Sequence, residues 1–136
     1  MPAPKGRGYG SGKSGHASVP DLLKDEVAAR ANDLIAQDLK PRYVQPPPEN
    51  PQFNYVSDIS AGWERGRFYF SAAYTCPDPD APQPCFETRF ARLTYSGNNR
   101  FNLAFMRHTG QWVEPYTGLT LDECLASIRD DPFFVP

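Results

Sequence analysis

The sequence predicts an α+β domain in which helices pack on one face of an antiparallel sheet. A segment near the start has apolar residues at three- and four-residue spacing, alternating aromatic segments separated by turn residues follow it, and a segment with a capping box ends the chain. Short turns between successive strands predict an antiparallel meander of four to five strands. In this class one face of the sheet packs against helices, and the other can face water.

Composition and charge predict a single domain with a basic tail. The chain has 136 residues, of which 40% are hydrophobic and 13% aromatic, which is sufficient for one core. The formal net charge is −2, but Lys5, Arg7 and Lys13 contribute +3 within the first twenty residues, which leaves −5 for the rest. Residues 1–19 are rich in glycine and are predicted to form a flexible tail. Residues 20–136 are predicted to form one α+β domain.

The first helix is predicted to begin after Ser18, whose hydroxyl would cap it, with Pro20 and Asp21 in the first turn. Its buried stripe is predicted to consist of apolar residues at helical spacing: Leu23, Val27, Ala31, Leu34, Ile35 and Leu39. Pro41 is expected to end the helix at Lys40, because proline has no backbone N–H. The proline-rich residues 46–51 then predict an extended connector.

Alternating apolar residues predict the strands, over residues 53–60, 67–75, 86–95, 100–108 and 111–116. In the second strand Phe68, Phe70, Ala72 and Tyr74 share one face, so Arg67, Tyr69 and Ser71 face the other way. The turns are predicted at residues 64–66, 96–99 and 109–110, and a proline-rich hairpin loop at residues 76–85. Trp112 is expected in the core, together with Phe101, Leu103 and Phe105.

The last helix is predicted to start with a capping box between Thr120 and Glu123. Leu121, Leu125 and Ile128 are expected to face the sheet. The dipeptide Asp131-Pro132 is predicted to stop the helix.

A family resemblance rests on the last third of the chain. It is carried by Phe101-Asn102-Leu103-Ala104-Phe105-Met106-Arg107-His108-Thr109-Gly110-Gln111-Trp112, and by residues 114–116, 120–125 and 131–134. This ending resembles that of a small, uncharacterised bacterial domain-of-unknown-function family, number three-zero-two-four. The order of the preceding elements is similar too, with a leading helix, a Lys-Pro-Arg exit at residues 40–42 and a middle strand that bears tryptophan and arginine. The resemblance covers residues 20–136, and it implies no activity, because the family has none to transfer.

The sequence does not predict a catalytic centre, a metal site or a cofactor. His16 lies in the tail and His108 at a hairpin tip, where it is predicted to be a solvated turn residue, so the two cannot form a metal cluster. Cys76 and Cys85 are too far apart in sequence for a zinc ribbon, and Cys124 belongs to the last helix. Whether Cys76 and Cys85 pair with each other is left open. These observations favour a protein that is not an enzyme, and the question of enzymatic activity is left open.

The sequence predicts a cytoplasmic protein that does not span a membrane. It contains no apolar run of the roughly 20 residues that cross a bilayer. The first twenty residues have no apolar segment of the kind that a secretory signal needs, and an odd number of cysteines is unlike a disulfide framework.

The surface that stands out is basic. Residues 86–113 contain four arginines and Glu87 as the single acid, and two further arginines lie on the neighbouring hairpin. The leading hypothesis is a non-enzymatic module that binds a protein partner through the open sheet face, with contact residues Arg67, Tyr69, Arg89 and Arg107. One alternative is a nucleic-acid-binding protein that adds Lys5, Arg7 and Lys13 to that face. Another is a small enzyme with a pocket near the proline-rich 76–85 loop. The oligomeric state is left open.

Overall fold

The computed structural model describes residues 18–46, 53–78, 80 and 84–136. Within these residues it contains, in order, α1 (Asp21–Leu34), a π-helical segment (Ile35–Leu39), α2 (Lys40–Tyr43), β1 (Tyr55–Glu64), β2 (Arg67–Thr75), β3 (Cys85–Gly97), β4 (Arg100–Met106), β5 (Trp112–Leu119), α3 (Leu121–Asp130) and a 3-10 turn (Pro132–Phe134). The five strands form one antiparallel sheet in sequential order, from β1 to β5. The predicted α+β fold, a meander sheet with a helix at each end, is therefore confirmed.

The core lies between the helices and one face of the sheet. Its fully buried side chains come from alternating strand positions and from the inner stripes of α1 and α3, among them Val27, Leu39, Phe68, Phe70, Leu93, Phe101, Leu103 and Ile128. In the part of the chain that the structure describes, no polar or charged residue is buried. The core is therefore held by apolar burial, which stabilises by about 25 cal/mol per Å² removed from water.

The prediction that the Ser18 hydroxyl caps α1 is wrong. The helix begins at Asp21 with Pro20 at the N-cap position, and no side chain caps it. The backbone carbonyl of Pro20 accepts the first helical hydrogen bond, from the N–H of Lys24 at 3.0 Å. Ser18 lies two residues outside the N-cap, so its hydroxyl is not in the position that reaches the free N–H groups of the first turn.

The predicted end of this helix at Lys40 is also wrong, because the helical path continues to Tyr43. The backbone N–H of Lys40 donates to the carbonyl of Ile35, five residues earlier, which is the wider π pattern. Pro41 has no N–H, and in a regular α-helix its ring would crowd the carbonyl four residues before it. The π segment breaks the regular ladder immediately before the proline, so the helix can pass it while Leu39 stays buried.

The hairpin turns lie where glycine and asparagine predict them. Arg65 and Gly66 join β1 to β2 with φ values of 50° and 81°, and Asn98 and Asn99 join β3 to β4 with φ values of 53° and 58°. Two consecutive positive φ values are typical of the tight turns that match the twist of a hairpin. The strand ends differ from the prediction by a few residues: β1 begins and ends later, at Tyr55–Glu64, and β5 is longer, at Trp112–Leu119.

The C-terminal helix forms as predicted. Thr120 Oγ1 accepts from the N–H of Glu123 at 3.1 Å, and Glu123 Oε1 accepts from the N–H of Thr120 at 2.8 Å, which completes the capping box. Leu121, Leu125 and Ile128 are buried against the sheet. The helix ends at Asp130, directly before the predicted stop.

Several predictions fall outside the described residues, namely the tail at 1–17, most of the proline-rich connector at 47–52, and parts of the 76–85 loop at 79 and 81–83. Where the loop closes, the N–H of Cys76 donates to the carbonyl of Pro84 at 2.7 Å. Cys76, Cys85 and Cys124 are free thiols. None of the described helices has the length and apolar character needed to cross a membrane.

Candidate functional site

The face of the sheet opposite the helices carries polar and aromatic side chains. In β2 the residues Phe68 and Phe70 are fully buried in the core, whereas Arg67 and Tyr69, which alternate with them, are only partly buried. The predicted orientation of this strand is therefore confirmed. We call this second surface the open face, and its side chains include Ser60, Gly62, Glu64, Arg67, Tyr69, Ser71, Glu87, Arg89, Arg92, Ala104, Trp112 and Glu114.

Four side chains on the open face form one connected group, the Arg–aromatic cluster of Tyr69, Arg89, Arg92 and Trp112. The guanidinium carbon of Arg89 lies 4.0 Å from the Tyr69 ring centre, and that of Arg92 lies 4.8 Å from the Trp112 ring centre. The two ring centres are 5.9 Å apart. Because β2 and β5 are three strand spacings apart, about 14 Å, the rings must lean toward each other across β3 and β4.

Ala104 forms the floor beneath this group. It lies opposite Arg92 in the β3–β4 ladder, so it shares the open face, yet none of its surface is exposed. A methyl group occupies little height above the sheet, which leaves room for the Arg92 side chain and the two rings to lie over β4. A larger residue at position 104 would occupy that space.

Two glutamates flank the cluster. Glu64 Oε1 accepts from Arg89 Nη2 at 2.7 Å, and Glu114 Oε2 lies 3.9 Å from Arg92 Nη2. With Arg67 and Glu87, the open face carries three arginines and three glutamates. Of the arginines in residues 86–113, Arg89 and Arg92 lie on the open face, and each has a glutamate beside it that another strand contributes, Glu64 from β1 and Glu114 from β5.

Two arginine donors on this face have no partner. The Nε–H groups of Arg67 and Arg92 are buried and make no hydrogen bond within the described structure. Burial lowers the pKa of Arg92, and the nearby positive charge of Arg67 lowers it further. An unsatisfied buried donor costs about 1–3 kcal/mol, so this pair is held in a costly arrangement.

A shallow depression of about 270 Å³ adjoins the cluster. Gly62 lies opposite Tyr69 in the β1–β2 ladder, and no atom would contact a side chain at that position. The depression is also lined by Ser60, Ser71 and Arg89. The missing side chain and the two hydroxyls leave a polar hollow beside the Tyr69 ring.

The structure brings together three of the four predicted contact residues. Arg67, Tyr69 and Arg89 share the open face, but Arg107 lies beyond the end of β4 in the exposed turn to β5. There the N–H of Arg107 donates to the carbonyl of Gln111 at 2.9 Å. No described contact joins the Arg107 side chain to the cluster. His108 lies in the same turn and is exposed, as predicted.

The predicted core position of Trp112 is wrong. Its neighbour Val113 lies opposite Phe105, which packs against the core, so the alternation of a strand places Trp112 on the open face. The core positions of Phe101, Leu103 and Phe105 are confirmed, although Phe105 is only partly buried. Alternation shows that Trp112 and Val113 face opposite ways, but the sequence does not tell which of the two faces the core; the pairing of Val113 with Phe105 does.

The described residues offer no cluster of three or more His, Cys, Asp or Glu side chains that could hold a metal ion. The open face carries arginines, hydroxyls and carboxylates. The described His108 is not part of it.

Comparison with known proteins gives one family. The family model described as Domain of unknown function (DUF3024) matches residues 19–136. Neither the curated proteins nor the solved structures produced a match to this chain. The match spans α1, α2, α3 and the whole sheet, and it confirms the resemblance that the C-terminal motifs indicated. The chain belongs to the DUF3024 family, a domain of unknown function.

Proposed function

We propose that this domain is a non-enzymatic interaction module that binds a protein partner through the open face. The observation that carries the proposal is the Arg–aromatic cluster, in which two rings and two guanidinium groups lie side by side across the sheet. Tyrosine, tryptophan and arginine are the residues most enriched at the energetic centres of protein interfaces. A cluster of these residues on a face that the helices leave open has the composition of a contact surface.

The charge of the open face favours a protein partner over nucleic acid. Nucleic acids bind mainly through positive side chains that neutralise phosphates and release their counterions, so the binding surface needs an excess of positive charge. Three arginines and three glutamates provide no such excess, and Glu64 already engages Arg89 at 2.7 Å. The nucleic-acid alternative would therefore depend on the basic tail at residues 1–17, which lies outside the described structure.

Chemistry on this face favours binding over catalysis. General acid–base catalysis needs a group that titrates near neutral pH. Arg92 is the residue of the cluster whose pKa is shifted, and a guanidinium does not lose its proton in proteins. The hydroxyls of Ser60 and Ser71 have no histidine among the residues that line the depression with them. The enzyme alternative would place its pocket near the 76–85 loop, part of which lies outside the described residues.

Affinity capture from an extract of the source cell tests the proposal. The full chain is immobilised as wild type, as Trp112→Ala and as Leu22→Ala, the last being a control because Leu22 is 85% exposed on α1. We expect wild type and Leu22→Ala to retain the same protein with or without nuclease treatment, and Trp112→Ala to lose it. Retention by Trp112→Ala, or release of the protein by nuclease, would contradict the proposal.

A second measurement addresses nucleic acid directly. We expect no binding of single- or double-stranded oligonucleotides to the full chain at low salt. If an oligonucleotide binds through the open face, the double variant Arg89→Ala/Arg107→Ala should bind it more weakly. The slope of log affinity against log salt concentration should then fall by about one unit for each phosphate that is no longer neutralised. That result would replace the protein-binding proposal with the nucleic-acid alternative.

A further inference from the structure

We infer that the Arg–aromatic cluster, together with Arg67, binds a carboxylate on an acidic peptide segment of the protein partner. This inference rests on the proposed function and names the ligand chemistry of the same surface. Its structural basis is the pair formed by Arg67 and Arg92. These arginines share the open face, and neither has the carboxylate partner at hydrogen-bonding distance that Arg89 has.

The strand register places the two arginines as diagonal neighbours. Arg67 lies opposite Thr94, and Tyr69 lies opposite Arg92, so Arg67 and Arg92 occupy diagonal positions about 7–8 Å apart at the backbone. Arginine side chains are long enough to meet over that distance. A carboxylate has two oxygens and about four lone-pair sites, so it can accept hydrogen bonds from two guanidinium groups at once.

Neither guanidinium is fully used within the described structure. Glu114 is 3.9 Å from Arg92, beyond the 2.7–3.2 Å range of an N–H···O hydrogen bond. Arg67 lies opposite Glu64 in the β1–β2 ladder, but the Glu64 carboxylate is engaged by Arg89. The Arg92 side chain is only 16% exposed, so a carboxylate that reached it would be shielded from water and would interact more strongly than at an exposed site.

A count of local charge selects a carboxylate over a phosphate. The Glu64–Arg89 pair is neutral. Glu87 lies beyond Arg89 on β3, away from Arg67 and Arg92, so the group next to these two arginines consists of Arg67, Arg92 and Glu114 and has a net charge of +1. One carboxylate neutralises that charge. A phosphorylated residue carries about −1.5 to −2 at neutral pH, which would leave excess negative charge beside Glu114.

The dimensions of the surface fit a short extended peptide. From the hollow at Gly62 on β1 to Trp112 on β5 the sheet spans four strand spacings, about 19 Å, which an extended peptide covers in about six residues. The aromatic rings would pack against the peptide near its acidic residue. The hydroxyls of Ser60 and Ser71 line the hollow at the other end of this surface.

Nuclear magnetic resonance on the full chain tests the inference, because arginine Nε–H groups give their own signals. The probes are three capped peptides, Gly-Ser-Glu-Ser-Gly and its versions with glutamine or phosphoserine at the central position. We expect the glutamate peptide to cause saturable shifts of the Arg67 and Arg92 Nε–H signals and the glutamine peptide to cause none. The phosphoserine peptide should bind more weakly than the glutamate peptide.

The variant Glu114→Gln gives a result that a purely structural role would not. It removes the carboxylate that competes for Arg92, so it should tighten binding of the glutamate peptide, by about two- to fivefold if the pair has the strength of an ordinary exposed ion pair. Arg92→Gln should abolish the shift of the Arg67 signal. Since Glu114 is exposed, its amide replacement is expected to leave the fold intact even if Arg92→Gln does not fold.

Three outcomes would overturn the inference, namely equal shifts with the glutamine peptide, weaker binding by Glu114→Gln, or tighter binding of the phosphoserine peptide. Its failure is distinguishable from failure of the proposed function. If Trp112→Ala loses the captured protein but no peptide shifts the arginine signals, the open face binds a partner by another chemistry. If Trp112→Ala keeps the captured protein, the proposed function itself is wrong.

Discussion

Replacing Trp112 with alanine should cost much less stability than replacing Phe101 with alanine. Phe101 is fully buried in the core, and such a change costs about 3–5 kcal/mol. Trp112 is partly buried on the open face, where it contacts the Tyr69 ring at 5.9 Å and the Arg92 guanidinium at 4.8 Å. An aromatic pair contributes about 0.5–1.5 kcal/mol and an exposed cation–π contact about 0.5–1 kcal/mol. The expected cost is therefore about 1–2.5 kcal/mol.

Urea denaturation followed by circular dichroism measures both costs, since changes in the midpoint at constant slope report changes in the free energy of unfolding. A double-mutant cycle with Tyr69→Ala isolates the contact between the rings, for which we expect a coupling of about 0.5–1.5 kcal/mol. If Trp112→Ala cost as much as Phe101→Ala, Trp112 would belong to the core after all. If the coupling were zero, the two rings would not form one surface.

Three further predictions concern other parts of the chain. Deleting residues 1–17 should leave the thermal midpoint nearly unchanged, because their sequence has no apolar periodicity, and a fall of more than a few degrees would show that they pack. Hydrogen bonds from Thr120, first from its backbone and then from its side chain, hold the pKa of Glu123 below its usual value. The stabilisation by Glu123 should therefore be complete above its unfolded-state pKa and disappear as pH falls through the lower folded-state value, so thermal midpoints of wild type and Glu123→Ala should converge in acid. A constant difference at every pH would refute this. Burial raises the pKa of the Cys124 thiol to about 12, whereas Cys85 is exposed. An alkylating reagent at pH 8 should therefore label Cys85 in the native protein and Cys124 only after unfolding. Labelling of Cys124 in the native protein as fast as that of Cys85 would contradict this.

The strands could be predicted closely where the local pattern was complete. Residues 67–75 alternate cleanly and begin after a turn that requires positive φ, so β2 was predicted to the residue. The capping box of α3 was equally readable, because its two residues are three positions apart and need no distant partner. In both cases the structure is determined by neighbours in sequence.

The end of the first helix could not be predicted from the same kind of rule. Pro41 is expected to end an α-helix, but the rule assumes the regular four-residue ladder. The π segment Ile35–Leu39 changes that ladder by one residue, and no residue type marks it in the sequence. The π segment favours packing, because Ile35 and Leu39 at its two ends are both buried in the core.

The composition of the open face was predicted only in part, because it depends on strand register. Tyr69 could be placed by alternation. Arg89 and Arg92 are three residues apart and share the open face only because β3 has a bulge at Phe90 and Ala91, which are both buried. Trp112 required knowledge of which β5 residue lies opposite Phe105. The charge balance was also non-local. Glu64 is 25 residues from Arg89 in sequence. The two residues lie on β1 and β3, on either side of β2, so their pairing depends on both the β1–β2 and the β2–β3 strand pairings.

The open face differs from the core in how well its polar groups are satisfied. The part of the core that the structure describes buries no polar residue, whereas the open face holds two arginines of like charge with unpaired Nε–H groups. A lysine or glutamine at these positions would avoid the fixed donor that costs about 1–3 kcal/mol when it is left unpaired. These Nε–H groups are closed to solvent, so a ligand recovers this cost when the guanidinium groups turn toward it on binding, and the same arrangement that weakens the free domain then strengthens its complex. The unpaired arginine groups therefore link the stability of the sheet to the proposed carboxylate site. Among the described residues, Glu114 is the carboxylate that lies nearest to Arg92, so the effect of Glu114→Gln on peptide affinity is the most informative measurement.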